Sequence, residues 1–355
     1  MEKNIYGRVA LIILAAIVFS SCNTNDKHFF VDAETFKIQD LEVFKLQGTI
    51  MQFNDTIWHP VDITVKDTLL FLKNLYTEYV YDIYNLKNNE KVNKFLQIGQ
   101  GPDEFLFPMI VQSMDDNVRI FDRRKAILKE YLVSDLLGNQ IPVSIKDIPL
   151  RNNASAKVAV LSDGAILASI NMLPRGGFDI YNSDGIFLDS IGKFPEFTQG
   201  NLSDAEKILS FQSDFTTNLT DRIFTSYLYT DLIEIYDFKG NCIKRIHGPN
   251  QIPLAMDTRS ASGGGTAART IKGKTYACYS SPVYAGNEVF VLYFGELWEN
   301  YEERNFKIIV FDWNGKPLRM YELDTPLFTF TVDHKNKIIY GLTDSPEFRI
   351  IKFNY

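Results

Sequence analysis

The chain has 355 residues, 45% of them hydrophobic and 14% aromatic, with a formal net charge of −7. That apolar share can bury a large core, which excludes general disorder, and the acidic balance argues against a dedicated nucleic-acid binder. Three cysteines are too few for a disulfide scaffold or a four-cysteine zinc site.

Lys3 and Arg8 flank an apolar run from Val9 to Phe19. The run is shorter than the roughly 20 residues of a membrane-spanning helix and fits the core of a secretory signal. It ends in Phe19-Ser20-Ser21-Cys22. Small residues directly before a cysteine resemble a bacterial lipobox, in which the signal is cut ahead of the cysteine and the thiol is acylated. The expectation is a signal peptide over 1–21, lipidation at Cys22 and a tether over 22–34 that starts with the polar Asn23–Lys27. A plain signal peptide with an incidental cysteine is the alternative.

From residue 35 onward the pattern is short β-branched and aromatic runs broken by Asp, Asn and Gly. Phe36–Leu46 is a candidate strand. Tyr79–Ile98 and Leu128–Ile145 read as strand pairs, and Val158–Leu161 pairs with Ala165–Ala168 through Ser162-Asp163-Gly164. Three segments repeat one plan: 178–192, 232–248 and 308–324 each hold an alternating strand, an Asp/Asn turn with Gly, and a second alternating strand. Ser203 and Glu206 have capping-box spacing and open the one good helix candidate, about two turns long. Cys242 opens an outer strand and Cys278 lies in an inner one, too far apart to bridge. Gly263–Gly265 lacks the Lys-Ser/Thr ending of a phosphate loop and reads as a flexible loop. The chain ends on strands near 328–332, 338–342 and 348–353, one short of a full unit.

Four strands per unit and about six units make an all-β, six-bladed β-propeller; an open sandwich of two large sheets is the alternative. The missing outer strand of the last blade would come from the N-terminal region, with Phe36–Leu46 closing the ring.

The loop after the first unit reads Gly99-Gln100-Gly101-Pro102-Asp103-Glu104-Phe105, echoed at Gly192–Phe197 and at His247-Gly248-Pro249. This G-x-G-P-x-E-F run resembles the TolB-like six-bladed propeller lipoproteins of gut anaerobes. The resemblance implies the propeller over 35–355 and an export address; it implies no reaction. Locally, Gly99 and Gly101 allow positive φ, Phe105 anchors the loop, and Glu104 either bonds freed backbone N–H groups or presents a carboxylate at the channel mouth.

No nucleophile elbow, H-E-x-x-H or C-x-x-C occurs, and no histidine pair has metal-ligand spacing. Asp115-Asp116-Asn117 lacks the later Gly and Glu of a calcium loop. Neither a metal nor a cofactor is expected, and no catalytic residue is assigned. Propellers take ligands at one mouth of the channel. By family analogy that mouth is built from interblade loops and second-to-third-strand turns, which here carry His59, Glu104, Arg123, Arg124, Arg175, Tyr229 and Trp298. Arginine forks onto carboxylates and phosphates, and flat aromatic rings stack; a solvated polar rim is the bland alternative. His59 precedes an inner strand, where it either binds or is a hydrogen-bonded structural residue. The expectation is an envelope-anchored, outer-membrane lipoprotein facing periplasm or cell surface. It would be held in the membrane by its lipid and bind a saccharide, peptide or envelope protein but no nucleic acid. The alternative is a propeller lyase or hydrolase acting on a saccharide or peptide.

Overall fold

The computed structural model describes residues 29–138, 142–151, 155–260, 266–300 and 307–355. The signal segment, Cys22 and Gly263–Gly265 lie outside the described residues.

Six antiparallel four-stranded blades form a ring, each running from an inner to an outer strand. Blade one is Pro60–Lys66, Leu69–Asn74, Tyr79–Asn85 and Glu90–Gln97. Blade two is Pro108–Ile110, Val118–Asp122, Ile127–Tyr131 and Lys146–Pro149. Its outer strand starts after Ile145, later than the Leu128–Ile145 pair implied, because the short helix Val133–Leu136 intervenes. Blade three is Val158–Val160, Ile166–Ser169, Phe178–Tyr181 and Phe187–Ile191. Blade four is Ser213–Thr217, Arg222–Tyr227, Leu232–Asp237 and Cys242–His247. Blade five splits its inner strand into Tyr276–Tyr279 and Val283–Ala285, then continues with Glu288–Leu297, Lys307–Asp312 and Pro317–Leu323. Blade six is Thr329–Asp333, Ile338–Thr343 and Arg349–Asn354, completed by Thr49–Ile50.

The sequence dictates this burial order. Middle strands such as Leu69-Leu70-Phe71-Leu72 are apolar on both faces and buried on both, because each blade is covered by a neighbour on either side. Outer strands such as Phe187–Ile191 are exposed over most of their length and buried only at one end, here Ile191. The core is therefore a set of interblade layers. Phe224 and Ile235 of blade four pack with Val289 and Phe311 of blade five, and Leu70 and Tyr84 of blade one with Tyr340 and Ile350 of blade six.

The repeated hairpins share one turn chemistry. Asp237 Oδ1 accepts from the backbone N–H groups of Lys239 and Asn241; Asn182 and Asp312 do the same for their own turns. At Gly240, φ is +84° and a Cβ would sit 2.6 Å from the backbone nitrogen of Gly192 in the blade before. Glycine there serves both the left-handed turn and the close approach of two blades.

An N-terminal strand closes the ring, but Phe36–Leu46 is not that strand. Ala33–Glu34 adds in parallel to Arg245–Ile246 at the edge of blade four, and Glu42–Leu46 adds in parallel to Arg319–Leu323 at the edge of blade five. Only then does the chain turn, with Gly48 N donating to Asp324 Oδ1 at 3.0 Å, and pair Thr49–Ile50 antiparallel to Ile351 and Lys352. Alternation marks a strand without saying which edge it joins. Blade five is already complete, so Glu42–Leu46 becomes a fifth strand, and the vacancy in blade six is filled by the next residues. Residues 29–34, expected in the tether, belong to this strap. Phe30 is fully buried against Phe197, Phe211 and His247.

Ser203 caps the helix Asp204–Ser210 in a full capping box with Glu206, as its spacing predicts. The sequence reading missed the hairpin Met256–Ser260 with Thr266–Thr270, inserted between blades four and five. Cys242 and Cys278 are both free.

Candidate functional site

Antiparallel blades fix which loops share an end. The linkers from outer strand to next inner strand and the turns from second to third strand emerge at one end of the ring, here called the loop end. His59, Glu104, Arg123, Arg124, Arg175, Tyr229 and Trp298 all lie there.

Glu104 is turned inward. Its carboxylate accepts from Gly101 N at 2.8 Å, and Lys125 Nζ donates to the carbonyls of Gly101 and Glu104, each at 2.6 Å. Phe105 is buried in the layer between blades one and two. The two glycines do not supply positive φ as expected. Gly99 supplies space, since a Cβ there would stand 1.9 Å from Glu104 Oε2. The loop is an internal brace, which leaves Glu104 poorly placed to meet a ligand. Asp122 braces the neighbouring turn: fully buried, it accepts from the backbone N–H groups of Leu106, Phe107, Arg124 and Lys125.

The arginines divide. Arg175 is paired with Asp179 of its own blade at 3.0 Å, so its charge is spent locally. Arg123 lies over the Phe107 ring, 5.9 Å from its centroid, and Arg124 is exposed. Tyr229 and Trp298 do meet, with ring centroids 5.3 Å apart. Tyr229 is buried, which raises its phenol pKa, so a ligand would touch Trp298 first.

His59 is exposed, with φ +39°, and its ring stands edge-on to Phe348 at 5.4 Å and Tyr76 at 6.5 Å. It lines an open groove of about 550 Å³ at the seam of blades six and one, together with Phe53, Trp58, Phe348 and Arg349. That volume suits a small ligand. A cavity of about 20 Å³ between blades three and four has room only for a water molecule.

Sequence reading missed the residues that give this end its character. Trp58 is 63% exposed, Tyr76 92% and Phe107 43%. Among the described residues, every exposed Phe, Tyr or Trp except Phe44 is at the loop end. The signal available was position, because all three lie in loops already assigned to the mouth. At the inner end of the same seams sit Asp62 and Lys73, opposite each other across the first two strands of blade one. Burial pushes the Asp62 carboxyl up, opposed by the charges of Lys73 and Lys157. Burial lowers the Lys73 ammonium, opposed by Asp62 and Asp122. Lys157 bridges to Asp214 of blade four at 2.9 Å. Among the described residues no three carboxylate, histidine or cysteine side chains gather as a metal site.

Fold and mouth together define a six-bladed propeller with an aromatic-rimmed loop end. The chain matches the TolB-like 6-blade propeller-like family over residues 35–335 and belongs to it. Among solved structures it is similar to a DUF4221-family protein from Bacteroides vulgatus, at 11% identity and TM-score 0.51, covering 89% of this chain and 98% of that one. It is also similar to a Bacteroides fragilis protein, at 12% identity and TM-score 0.51, covering 88% and 98%. At such identities the likeness is one of fold alone. No curated protein matches the chain.

Proposed function

We propose that this propeller is an envelope lipoprotein, anchored through Cys22, that binds a ligand at its loop end as a binding or scaffolding module. The observation that carries the binding reading is the gathering of exposed aromatic rings at one end, beside a groove lined by Trp58, His59 and Phe348. Solvated rims have no need of exposed Trp and Tyr, and such surfaces mark binding sites. Anchoring is supported by the short apolar run ending in Ser20-Ser21-Cys22. The strap begins at Phe29, at the loop end of blade four and across the ring from blade one and its groove. The anchor and the groove would thus not compete for space.

A lyase or hydrolase reading has one observation in its favour: Asp62 and Lys73 are facing groups whose pKa values are both displaced toward neutrality by burial. Screening the mature protein on glycan and peptide arrays, with mass spectrometry of any hit after incubation, separates the two. We expect hits that depend on Trp58 and His59 and remain intact. Cleaved products abolished by Asp62→Asn or Lys73→Met would favour the enzyme, and the absence of any hit dependent on Trp58 or His59 would remove the binding reading.

A further inference from the structure

Among the described residues, most half-buried Lys and Arg side chains are ion-paired or, like Lys66 and Lys125, donate to backbone carbonyls. Arg119 pairs with Asp115 and Glu130, Lys129 with Asp103 and Asp147, Arg245 with Glu234, and Arg319 with Glu288. At the loop end of the seam between blades one and two the pattern breaks. Among the described residues Lys73, Arg123 and Arg124 make no ion pair. Lys73 is half-buried, and its Nζ stands 4.8 Å from the centroid of the Phe107 ring. Arg123 approaches the same ring, with Cζ at 5.9 Å. Two cations from different blades thus converge on one exposed aromatic.

The acids nearby make no ion pair with them, although the charges of Asp62 and Asp122 reach Lys73. Asp122 is consumed by four backbone N–H groups. Asp62 faces Lys73 across the ladder without an ion pair, and its Oδ1 takes Ile63 N at 2.9 Å and Thr329 Oγ1 at 3.5 Å. Partial burial of an unpaired ammonium costs free energy that an ordinary rim lysine does not bear. A ring face offsets part of it, and an incoming anion would offset more.

We infer that Lys73 and Arg123, which both approach Phe107, form an acid-recognising subsite at the loop end of the seam between blades one and two, one seam away from the groove, and that its ligand is a saccharide bearing a carboxylate. This rests on the binding reading above and gives that site its substrate class. The guanidinium fork suits a carboxylate bidentately, and the ammonium near the same ring adds a second positive charge. The sugar assignment follows from the shape of the surface. Phe348, His59 and Tyr76 form a chain of edge contacts, and Tyr76 lies in the turn that follows the strand of Lys73. From Lys73 the path continues to Phe107. Tyr76 and Phe107 are exposed rings at the same end of the ring of blades, surfaces on which flat pyranose faces stack. A peptide would instead want deep pockets for its side chains, and the groove is open.

The test is calorimetry of the mature protein with tri-galacturonate, neutral tri-galactose and a tripeptide ending in a free carboxylate. Thermal melts would confirm that the variants fold. Tri-galacturonate should bind more tightly than tri-galactose, and the margin should shrink as salt is raised. Arg123→Met and Lys73→Met should each weaken tri-galacturonate by roughly tenfold to a hundredfold and leave tri-galactose unchanged. Equal affinity for the two trimers, no binding of tri-galacturonate, or unchanged affinity in both variants would overturn the inference. So would preference for the tripeptide. If tri-galactose binds in a way that needs Trp58 but ignores Lys73 and Arg123, the binding reading stands and this subsite falls.

Discussion

Gly99→Ala tests whether the family-like loop is a brace or a ligand contact. Gly99 does not occupy the positive-φ region, so alanine meets no backbone penalty there, and the whole effect must come from contact. The new methyl would stand 1.9 Å from Glu104 Oε2 and 2.4 Å from its Cδ. Those distances force the carboxylate to leave, and its bond from Gly101 N at 2.8 Å goes with it. A hydrogen bond to a charged group contributes about 1.5–3 kcal/mol. The loop is half-exposed, so we place the loss at the lower end, about 1.5–2 kcal/mol. The key arm is Glu104→Ala, which removes the same bond and vacates the same space. In that background Gly99→Ala should cost under about 0.5 kcal/mol, because nothing remains to displace. Urea unfolding of wild type, both single variants and the double variant gives the coupling energy directly. Single costs that simply add would show that the glycine and the carboxylate act independently and that the brace is wrong. A Glu104→Gln variant that keeps its stability but loses an array hit would make Glu104 a ligand contact after all.

Other consequences follow from the same geometry. Cys242 is exposed as a residue, but its sulfur turns toward Glu234, and desolvation beside that carboxylate pushes the thiol pKa up to about 12, so it should alkylate more slowly at pH 8 than an ordinary surface thiol; rapid labelling by iodoacetamide would contradict the placement. A non-reduced digest should contain no Cys242–Cys278 peptide, since the two thiols lie in an outer strand of blade four and an inner strand of blade five. Fatty-acid label should enter the wild type in vivo and vanish with Cys22→Ala; label that persists would place the lipid elsewhere. Arg319 holds the Glu288 carboxyl below the usual range through two bonds of 2.7 Å. The contribution of Glu288 is therefore complete above its unfolded pKa, near 4.3, and is lost as pH falls through the lower folded value. Stability curves of wild type and Glu288→Gln should converge below about pH 4, and a constant gap down to pH 2 would refute the pairing.

The fold was legible because the chain writes its period in turn chemistry. Asn182, Asp237 and Asp312 each close the same hairpin with the same two backbone bonds. A four-strand unit repeated about six times leaves few architectures. Edge choice was not legible. Phe36–Leu46 has a strand's pattern, but nothing in that pattern distinguishes a fourth strand from a fifth. Only Gly48 and Asp324, distant in sequence, bring the chain round to blade six at Thr49.

The candidate site divides along the same line between what is local and what is not. Its location was local information: antiparallel strands force His59, Arg123 and Trp298 to one end wherever the blades sit. Its chemistry depended on contacts between residues far apart or on burial. Asp179 captures Arg175 from a strand whose alternation gave no hint of a partner, and Glu104 folds back onto its own loop instead of facing outward. Trp58, Tyr76 and Phe107 were hidden by abundance, since in a chain that is 14% aromatic most rings fill interblade layers. What separates these three from the rest is that no neighbouring blade covers them. A propeller buries aromatics wherever two blades meet, so a ring left bare at the loop end forgoes burial worth roughly 1.5–3 kcal/mol. Bare rings along the loop end, one of them approached by two unpaired cations, form a surface whose stability improves when something else covers it.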